Sequence, residues 1–149
     1  MMRLKFLITF LLSIIITTSY ASTVLTTLNG EKIPFTNLKG KWVLINYWAS
    51  WCQPCLDEIK ELNQFYALNK DRIHLFAVNF DELSQTEQTQ LIKKLNISYP
   101  SLAKDPRSAL HLGDLQGVPA TFVFDPEGNF KEALYGGQTF NSLKKAIRG

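Results

Sequence analysis

The sequence predicts an α/β domain, a mixed central sheet with helices on both faces and an N-terminal β-hairpin extension. Three observations lead to this fold class. Two near-continuous apolar runs, at 41–48 and 73–80, are typical of strands buried on both faces. A segment with helical features follows each run. A final strand pair and helix then close the chain, and this alternation favours a sheet layered with helices.

Residues 1–21 form a secretory signal pattern and are set apart from the fold. Two basic residues precede an apolar run at 6–16, and small residues lead up to Ala21. The run is shorter than the roughly 18 residues that a membrane-spanning helix needs, which favours cleavage over retention as an anchor. The remaining domain covers 22–149. We expect it in the periplasm or another exported compartment, anchored to the membrane if the segment is retained.

The charge of the chain excludes two classes of partner. Beyond the signal pattern, 14 basic residues face 13 acidic ones. A domain this close to neutral is not expected to bind nucleic acid or an anionic membrane surface. Its length fits one ordinary domain with its own core, and we expect a monomer.

The first half of the domain combines a hairpin, a strand and a long helix. The segment 23–35 contains an Asn-Gly pair, a strong signal for a two-residue hairpin turn. The strand at 41–48 leads into a helix at 52–69. In that helix, apolar residues recur along one face.

The next elements are a second buried strand, a capped helix and an irregular stretch. The strand covers 73–80. Ser84 and Glu87 then form the pattern of a capping box, which predicts a helix start. The stretch 98–117 lacks a clear period, and one short helix is expected near 106–111.

The chain ends with a hairpin and a helix. Strands are expected at 120–125 and 130–136, joined by an Asp-Pro-Glu-Gly sequence that fits a type I turn. Thr139 is the expected cap of the last helix. The predicted order is therefore β-β-β-α-β-α-β-β-α.

Cys52 and Cys55 are the two cysteines of the chain and allow three interpretations. As a structural disulfide they would close a very short loop, worth roughly 2 kcal/mol against about 4 kcal/mol for a loop of 70 residues. A structural zinc site needs four ligands, and only His74 and His111 could supply the other two. The Cys-x-x-Cys spacing favours the third interpretation, a redox-active pair.

The local physics agrees with a redox pair. Cys52 is expected at the N-terminus of a helix, where free amide groups and the helix dipole stabilise a thiolate. Cys55 lies three residues later on the same face, within reach to resolve a mixed disulfide. Pro54 is tolerated there because no intrahelical donor is lost. Trp48 and Trp51 flank the site and are expected to shield it.

Two sequence stretches together point to a family. "VLINYWASWCQPCLDEI" at 43–59 and "GVPATFVFDPEGNF" at 117–130 resemble the thioredoxin superfamily. Within it the chain is similar to the exported TlpA/ResA/DsbE-like thiol-disulfide oxidoreductases. The resemblance covers essentially all of 23–149. It implies the thioredoxin fold, with Cys52 as the attacking thiol and Cys55 as the resolving thiol.

The resemblance also implies a substrate-binding surface beside the cysteines. Pro119 matches the family's cis-proline, and the backbone of Val118 would hold an extended substrate. Trp51 is assigned to the same surface. The alternative for Pro119 is a trans proline at the start of an edge strand.

A proton acceptor is the least defined part of the implied site. Asn46 occupies the position where thioredoxin itself has a buried aspartate. Glu82 aligns with a buried glutamate of the ResA-like members, which would have a raised pKa and could accept a proton. The alternative for Glu82 is a solvated residue just beyond a strand.

The predicted function is exported thiol-disulfide exchange without an organic cofactor and without a bound metal. The expected clients are proteins with thiols or disulfides, for example in cytochrome c maturation or related assembly. We expect reduction of clients, supplied by a membrane thiol-electron donor, because no cation neighbours Cys52 in the sequence. The alternative from another class is a Cu(I)-binding chaperone that uses the same thiols. A peroxidase on a related fold is disfavoured because nothing resembles its single-nucleophile loop.

Overall fold

The structure, a computed structural model, describes residues 23–148, so the signal pattern at 1–21 lies outside the described residues. The strands are β1 (Val24–Thr26), β2 (Lys32–Pro34), β3 (Trp42–Trp48), β4 (Ile73–Asn79), β5 (Ala120–Phe124) and β6 (Phe130–Tyr135). The helices are α1 (Gln53–Asn69), α2 (Gln85–Lys94) and α3 (Phe140–Ala146). Within 23–148, no helix is both long enough and apolar enough to cross a membrane.

Four strands form a mixed sheet in the order β4-β3-β5-β6. β3 runs parallel to β4 and antiparallel to β5, and β5 pairs with β6 as an antiparallel hairpin. All seven residues of β3 are buried, as its apolar sequence predicts for the centre of a covered sheet. The predicted element order and mixed sheet are confirmed.

The N-terminal hairpin joins this sheet at the β4 edge. Ala77 of β4 bridges in parallel to Ser101, and the next residue, Leu102, bridges antiparallel to Thr27. The hairpin loop is longer than the two residues expected, because the Thr27 N–H still donates to the Glu31 carbonyl at 3.0 Å. Gly30 closes the loop with a φ of 88°, the left-handed position that a three-residue loop requires.

The two faces of the sheet are covered by different kinds of element. Helices α1, α2 and α3 pack on one face, where residues such as Ile59, Leu62 and Leu143 bury their side chains. The opposite face is covered by the hairpin, a short 3₁₀ helix at Phe35–Leu38 and apolar residues of the irregular stretch 98–117. Among the described residues, the expectation of helices on both faces is therefore met on this face only by the short 3₁₀ helix. At 107–111 the chain forms turns instead of the expected short helix.

Side-chain caps fix where the last two helices begin. Ser84 caps α2, and its hydroxyl accepts from the Glu87 N–H at 3.3 Å, while the Glu87 carboxylate accepts from the Ser84 N–H. Thr139 caps α3 through the same reciprocal pattern with Ser142. Both predicted starts are confirmed, because each cap satisfies amide groups that have no partner inside the helix.

Candidate active site

The cysteine pair lies where β3 turns into α1. Cys52 is the N-cap residue of α1, and Pro54 occupies its first turn without loss of an intrahelical bond. Cys52 and Cys55 form a disulfide bond. The backbone N–H of Cys55 donates to the Cys52 Sγ at 3.3 Å. The helix N-terminus therefore directs an amide hydrogen at the sulfur that was expected to become a thiolate.

The two sulfur-bearing residues differ in access to solvent. Cys52 is 5% exposed, whereas Cys55 is completely buried. In this oxidised state an incoming thiol can therefore approach Cys52 more readily than Cys55. The difference favours Cys52 as the entry point for exchange.

A neighbouring loop fixes the segment that leads to Cys52. The Asp81 carboxylate accepts from the Ser50 N–H at 2.8 Å, and the Phe80 N–H donates to the Trp48 carbonyl at 2.8 Å. Trp48 is buried beneath the site, while Trp51 is 69% exposed beside Cys52. Trp48 thus shields the pair from below, and Trp51 presents its ring to the surface.

The Val118–Pro119 segment reaches the same end of the sheet. Its peptide bond is cis, as expected. Pro119 is buried and immediately precedes β5, whose Ala120 pairs with Tyr47 near the end of β3. The Pro119 carbonyl accepts from the Gly136 N–H at 2.9 Å, which ties the segment to the end of β6.

A buried carboxylate lies in α1, one turn after Cys55. Glu58 is only 3% exposed. Its Oε1 accepts from the Asn46 side-chain amide at 2.7 Å, and its Oε2 accepts from the Gln138 N–H at 2.7 Å. Burial raises the pKa of Glu58 to about 7, and the hydrogen bonds from Gln138 and Asn46 oppose that shift. The site therefore contains a carboxyl group that changes charge near neutral pH.

Glu82 does not lie in such an environment. The structure places it on the surface, so the expected burial of this side chain is wrong. It follows β4 in a loop whose preceding residue, Asp81, is the one that contacts the Cys52 segment. Glu82 therefore matches the alternative interpretation, a solvated residue just beyond a strand.

Sequence reasoning therefore missed Glu58, although a signal was present. In a helix, residues three and four apart share a face. Glu58 lies three residues after Cys55 and four before Leu62, both of which are completely buried. A carboxylate at such a position must be buried with them, and buried carboxylates are rare without a dedicated set of partners.

Most of the chain matches one known family. Residues 17–133 match the family described as AhpC/TSA. The chain belongs to the AhpC/TSA family. The matched range includes both cysteines, Glu58 and the cis-proline segment of this AhpC/TSA protein.

Two curated relatives carry the same name. Thiol-disulfide oxidoreductase ResA of Bacillus subtilis is 32% identical over 112 residues, covering 74% of this chain and 62% of that protein. ResA of Bacillus cereus is 29% identical over 122 residues, covering 81% of this chain and 70% of that protein. The resemblance to ResA-like proteins is confirmed, and these names agree with the predicted enzyme class. The chain spans 62% of the length of the Bacillus subtilis relative.

A solved structure gives the same classification of the fold. StoA from Bacillus subtilis superimposes with a TM-score of 0.69 at 26% identity, covering 84% of this chain and 95% of that one. The predicted thioredoxin fold is confirmed by this similarity together with the mixed sheet described above.

Proposed function

We propose that this protein is a thiol-disulfide oxidoreductase that reduces disulfides in client proteins. One observation carries the proposal: Cys52, which retains slight exposure at a helix N-terminus, is bonded to the completely buried Cys55, which lies one helical turn from the buried Glu58 carboxylate. This arrangement supplies an attacking sulfur, a resolving sulfur and a nearby base. The names of the ResA relatives agree with this chemistry.

The first step uses the reduced protein. The Cys52 thiolate attacks one sulfur of the client disulfide, forms a mixed disulfide with it and expels the other client sulfur as a thiolate. Cys52 is suited to this step because the Cys55 N–H points at its sulfur and because it is the accessible member of the pair. The exposed Trp51 ring and the Val118–Pro119 segment would hold the client chain beside it.

The second step needs a proton acceptor. The Cys55 thiol transfers its proton to the Glu58 carboxylate, and the resulting thiolate attacks Cys52 Sγ. The client leaves as a second thiolate, and the Cys52–Cys55 disulfide forms. Two electrons have then passed from the protein to the client. A pKa of about 7 lets Glu58 be deprotonated before the step and protonated after it.

Each turnover consumes the reduced pair, so the proposal includes a thiol donor that regenerates it. In an exported compartment, where disulfides persist, we propose a membrane protein that passes thiol equivalents outward. The exported location itself is proposed from the secretory signal pattern at 1–21. The Cu(I) chaperone remains an alternative that uses the same two thiols, and no further observation supports it.

Trapping with single-cysteine variants tests the proposal. Reduced Cys55→Ser protein, mixed with oxidised insulin as a model client, should accumulate a mixed disulfide detectable by mass spectrometry. Cys52→Ser should form none, because its remaining thiol is buried. Wild-type protein should reduce insulin with dithiothreitol as donor. Failure of the wild type to accelerate this reduction would contradict the proposed activity.

Glu58→Gln and Glu82→Gln form a matched pair for the proton acceptor. The first replaces the buried carboxyl group and should slow resolution of the mixed disulfide about tenfold or more near neutral pH. The second replaces the exposed carboxyl group and should leave the rate unchanged. Equal effects of the two variants would overturn the assignment of Glu58.

A further inference from the structure

We propose that Asn46 and Gln138 are positioning residues that clamp the Glu58 carboxylate from two sides and join it to the cis-proline segment. The inference rests on the proposed function, because it assigns a purpose to the surroundings of the proton acceptor. It is carried by a continuous set of buried hydrogen bonds that links β3, α1, β5 and the loop before α3.

The first arm of the clamp runs through Asn46. Its side-chain nitrogen donates to Glu58 Oε1 at 2.7 Å and to the Thr121 hydroxyl at 3.1 Å. Both amide hydrogens are therefore used, and the side chain has a single orientation that serves both contacts. Thr121 lies two residues after Pro119 in β5. Asn46 thus connects Glu58 to β5, the strand that follows the cis-proline.

The second arm runs through the loop before α3. The Gln138 N–H donates to Glu58 Oε2 at 2.7 Å. The Gln138 side chain fixes this loop, because its Nε2 donates to the Gly136 carbonyl at 2.9 Å and its Oε1 accepts from the Ser142 hydroxyl at 2.9 Å. Gly136 in turn donates to the Pro119 carbonyl. Both arms therefore end at the cis-proline segment, one at Thr121 and the other at the Pro119 carbonyl.

The clamp presents only hydrogen-bond donors to Glu58. A charged carboxylate accepts from both donors, whereas a protonated carboxyl group places one hydrogen where a donor already points. The clamp therefore stabilises the charged form against the desolvation that burial imposes. Removing one arm should therefore raise the pKa of Glu58, because its charged form loses a hydrogen-bond donor.

Other titratable groups lie around Glu58 and contribute to the electrostatic environment in which its carboxyl group titrates. On α1 this is Glu61, whose carboxylate accepts from the Phe140 N–H at 2.7 Å, while Cys55 is held in the disulfide and does not titrate. From the segment after α2, Tyr99 is buried, and desolvation together with the Glu58 charge raises the pKa of its hydroxyl. β3 and β5 contribute the neutral Asn46 and Thr121. The described residues around Glu58 thus include no cation that forms a salt bridge with it.

The test follows the Glu58 charge directly in the oxidised protein. The ¹³C NMR shift of its carboxyl carbon, assigned by its loss in Glu58→Gln, is recorded against pH. In Asn46→Leu the midpoint should rise by about one to two pH units, since a hydrogen bond to a charged group is removed. Gln138→Leu leaves the N–H in place but frees the loop, so it should raise the midpoint by a smaller amount.

Two matched controls remove comparable side chains elsewhere. Asn69→Leu deletes an amide that donates to the Phe65 carbonyl, and Gln88→Leu deletes one that donates to the Leu83 carbonyl. Neither should move the midpoint. If Asn46→Leu fails to fold, the near-isosteric Asn46→Asp replaces it. That variant should split the titration into two steps, because two adjacent carboxyl groups then share a proton.

The same variants are assayed for the pH dependence of mixed-disulfide resolution. A shift of the NMR midpoint together with the same shift in the rate profile supports both the clamp and the function. A shift of the midpoint alone supports the clamp and contradicts the role of Glu58 in exchange. A midpoint that stays at the wild-type value in Asn46→Leu, or in its replacement, overturns the clamp.

Discussion

Cys52 and Cys55 are three residues apart but differ in access and in the charge that each can carry. Cys52 retains some exposure and receives the Cys55 N–H, while Cys55 is fully buried near a carboxylate. We predict that iodoacetamide alkylates Cys52 faster than Cys55 in the reduced protein near neutral pH, because the thiolate is the nucleophile. Peptide mapping over a time course measures this. Equal rates, or faster labelling of Cys55, would contradict the assignment of the attacking thiol.

Glu58 makes the stability of the oxidised protein depend on pH. The folded protein holds this proton up to a pKa of about 7, whereas the group has an ordinary value of 4.5. Between these values the folded state binds more protons than the unfolded state, so stability falls as pH rises. The expected contribution is a loss of about 3 kcal/mol between these two pH values.

Urea unfolding of wild-type and Glu58→Gln protein at about pH 5 and about pH 8 measures this contribution. The wild type should lose about 3 kcal/mol more than the variant over this interval, because glutamine does not titrate. Glu82→Gln is the control and should follow the wild type, since its carboxyl group is exposed. A Glu58→Gln curve parallel to the wild type would show that the carboxyl group is not desolvated.

The contrast between Glu58 and Glu82 shows what single residues reveal in a sequence. The redox chemistry of the cysteine pair was predictable, because the Cys-x-x-Cys spacing and its position at the start of a helix are both visible in the sequence. Burial of a carboxylate depends on the helical face, and Glu58 could have been found by its place between Cys55 and Leu62. Its partners could not, because Asn46 and Gln138 are far apart in the sequence and meet only through tertiary packing.

The start of α3 is stabilised by contacts from its own cap and from α1. The Thr139 hydroxyl accepts from the Ser142 N–H at 3.2 Å, and the Glu61 carboxylate accepts from the Phe140 N–H at 2.7 Å. We predict that Thr139→Ala lowers the free energy of unfolding by about 1 kcal/mol, because amide groups at the helix start lose an acceptor. Urea unfolding measures the change.

Thr86→Ala provides the comparison, since Thr86 is an exposed residue inside α2 and not its cap. Alanine has the higher helix propensity, so this change should not lower stability. If Thr139→Ala and Thr86→Ala lower the free energy of unfolding by the same amount, the cap of α3 makes no specific contribution to stability.

The types and order of the elements were predictable because their signals are local. Apolar runs identified β3 and β4, the Ser84 and Glu87 pair identified the start of α2, and Thr139 identified the start of α3. The stretch 98–117 was not predictable in the same way. Its apolar residues cover one face of the sheet without a helical or strand period, so their burial depends on packing against distant strands.

At the scale of the whole domain, the charges around the disulfide bear on its reduction potential. Gln53 and Pro54 separate the cysteines and carry no positive charge, and the nearest buried charge is the Glu58 carboxylate. A strong oxidant needs extra stabilisation of its reduced thiolate. We therefore predict a reduction potential closer to the roughly −270 mV of thioredoxin than to the about −120 mV of DsbA.

Equilibration with glutathione buffers of defined ratio, followed by separation of the reduced and oxidised protein, measures this potential. Lys60→Ala is a suitable control, because it removes an exposed charge on α1 and should leave the value unchanged. A wild-type potential of about −120 mV, the value of the strong oxidant, would reverse the proposed direction of electron flow.

The hairpin determines the side from which the chain enters the domain. β1 lies antiparallel to the segment around Leu102, which itself runs parallel to β4 toward the end that carries Cys52. Thr23 therefore lies at that end, where its hydroxyl donates to the Ala109 carbonyl at 3.1 Å. β1 lies about three strand spacings, or roughly 14 Å, to the side of β3. A membrane tether attached ahead of Thr23 would consequently place the end of the domain that carries the disulfide nearest to the membrane. An electron donor in that membrane could then reach Cys52 without a rotation of the domain.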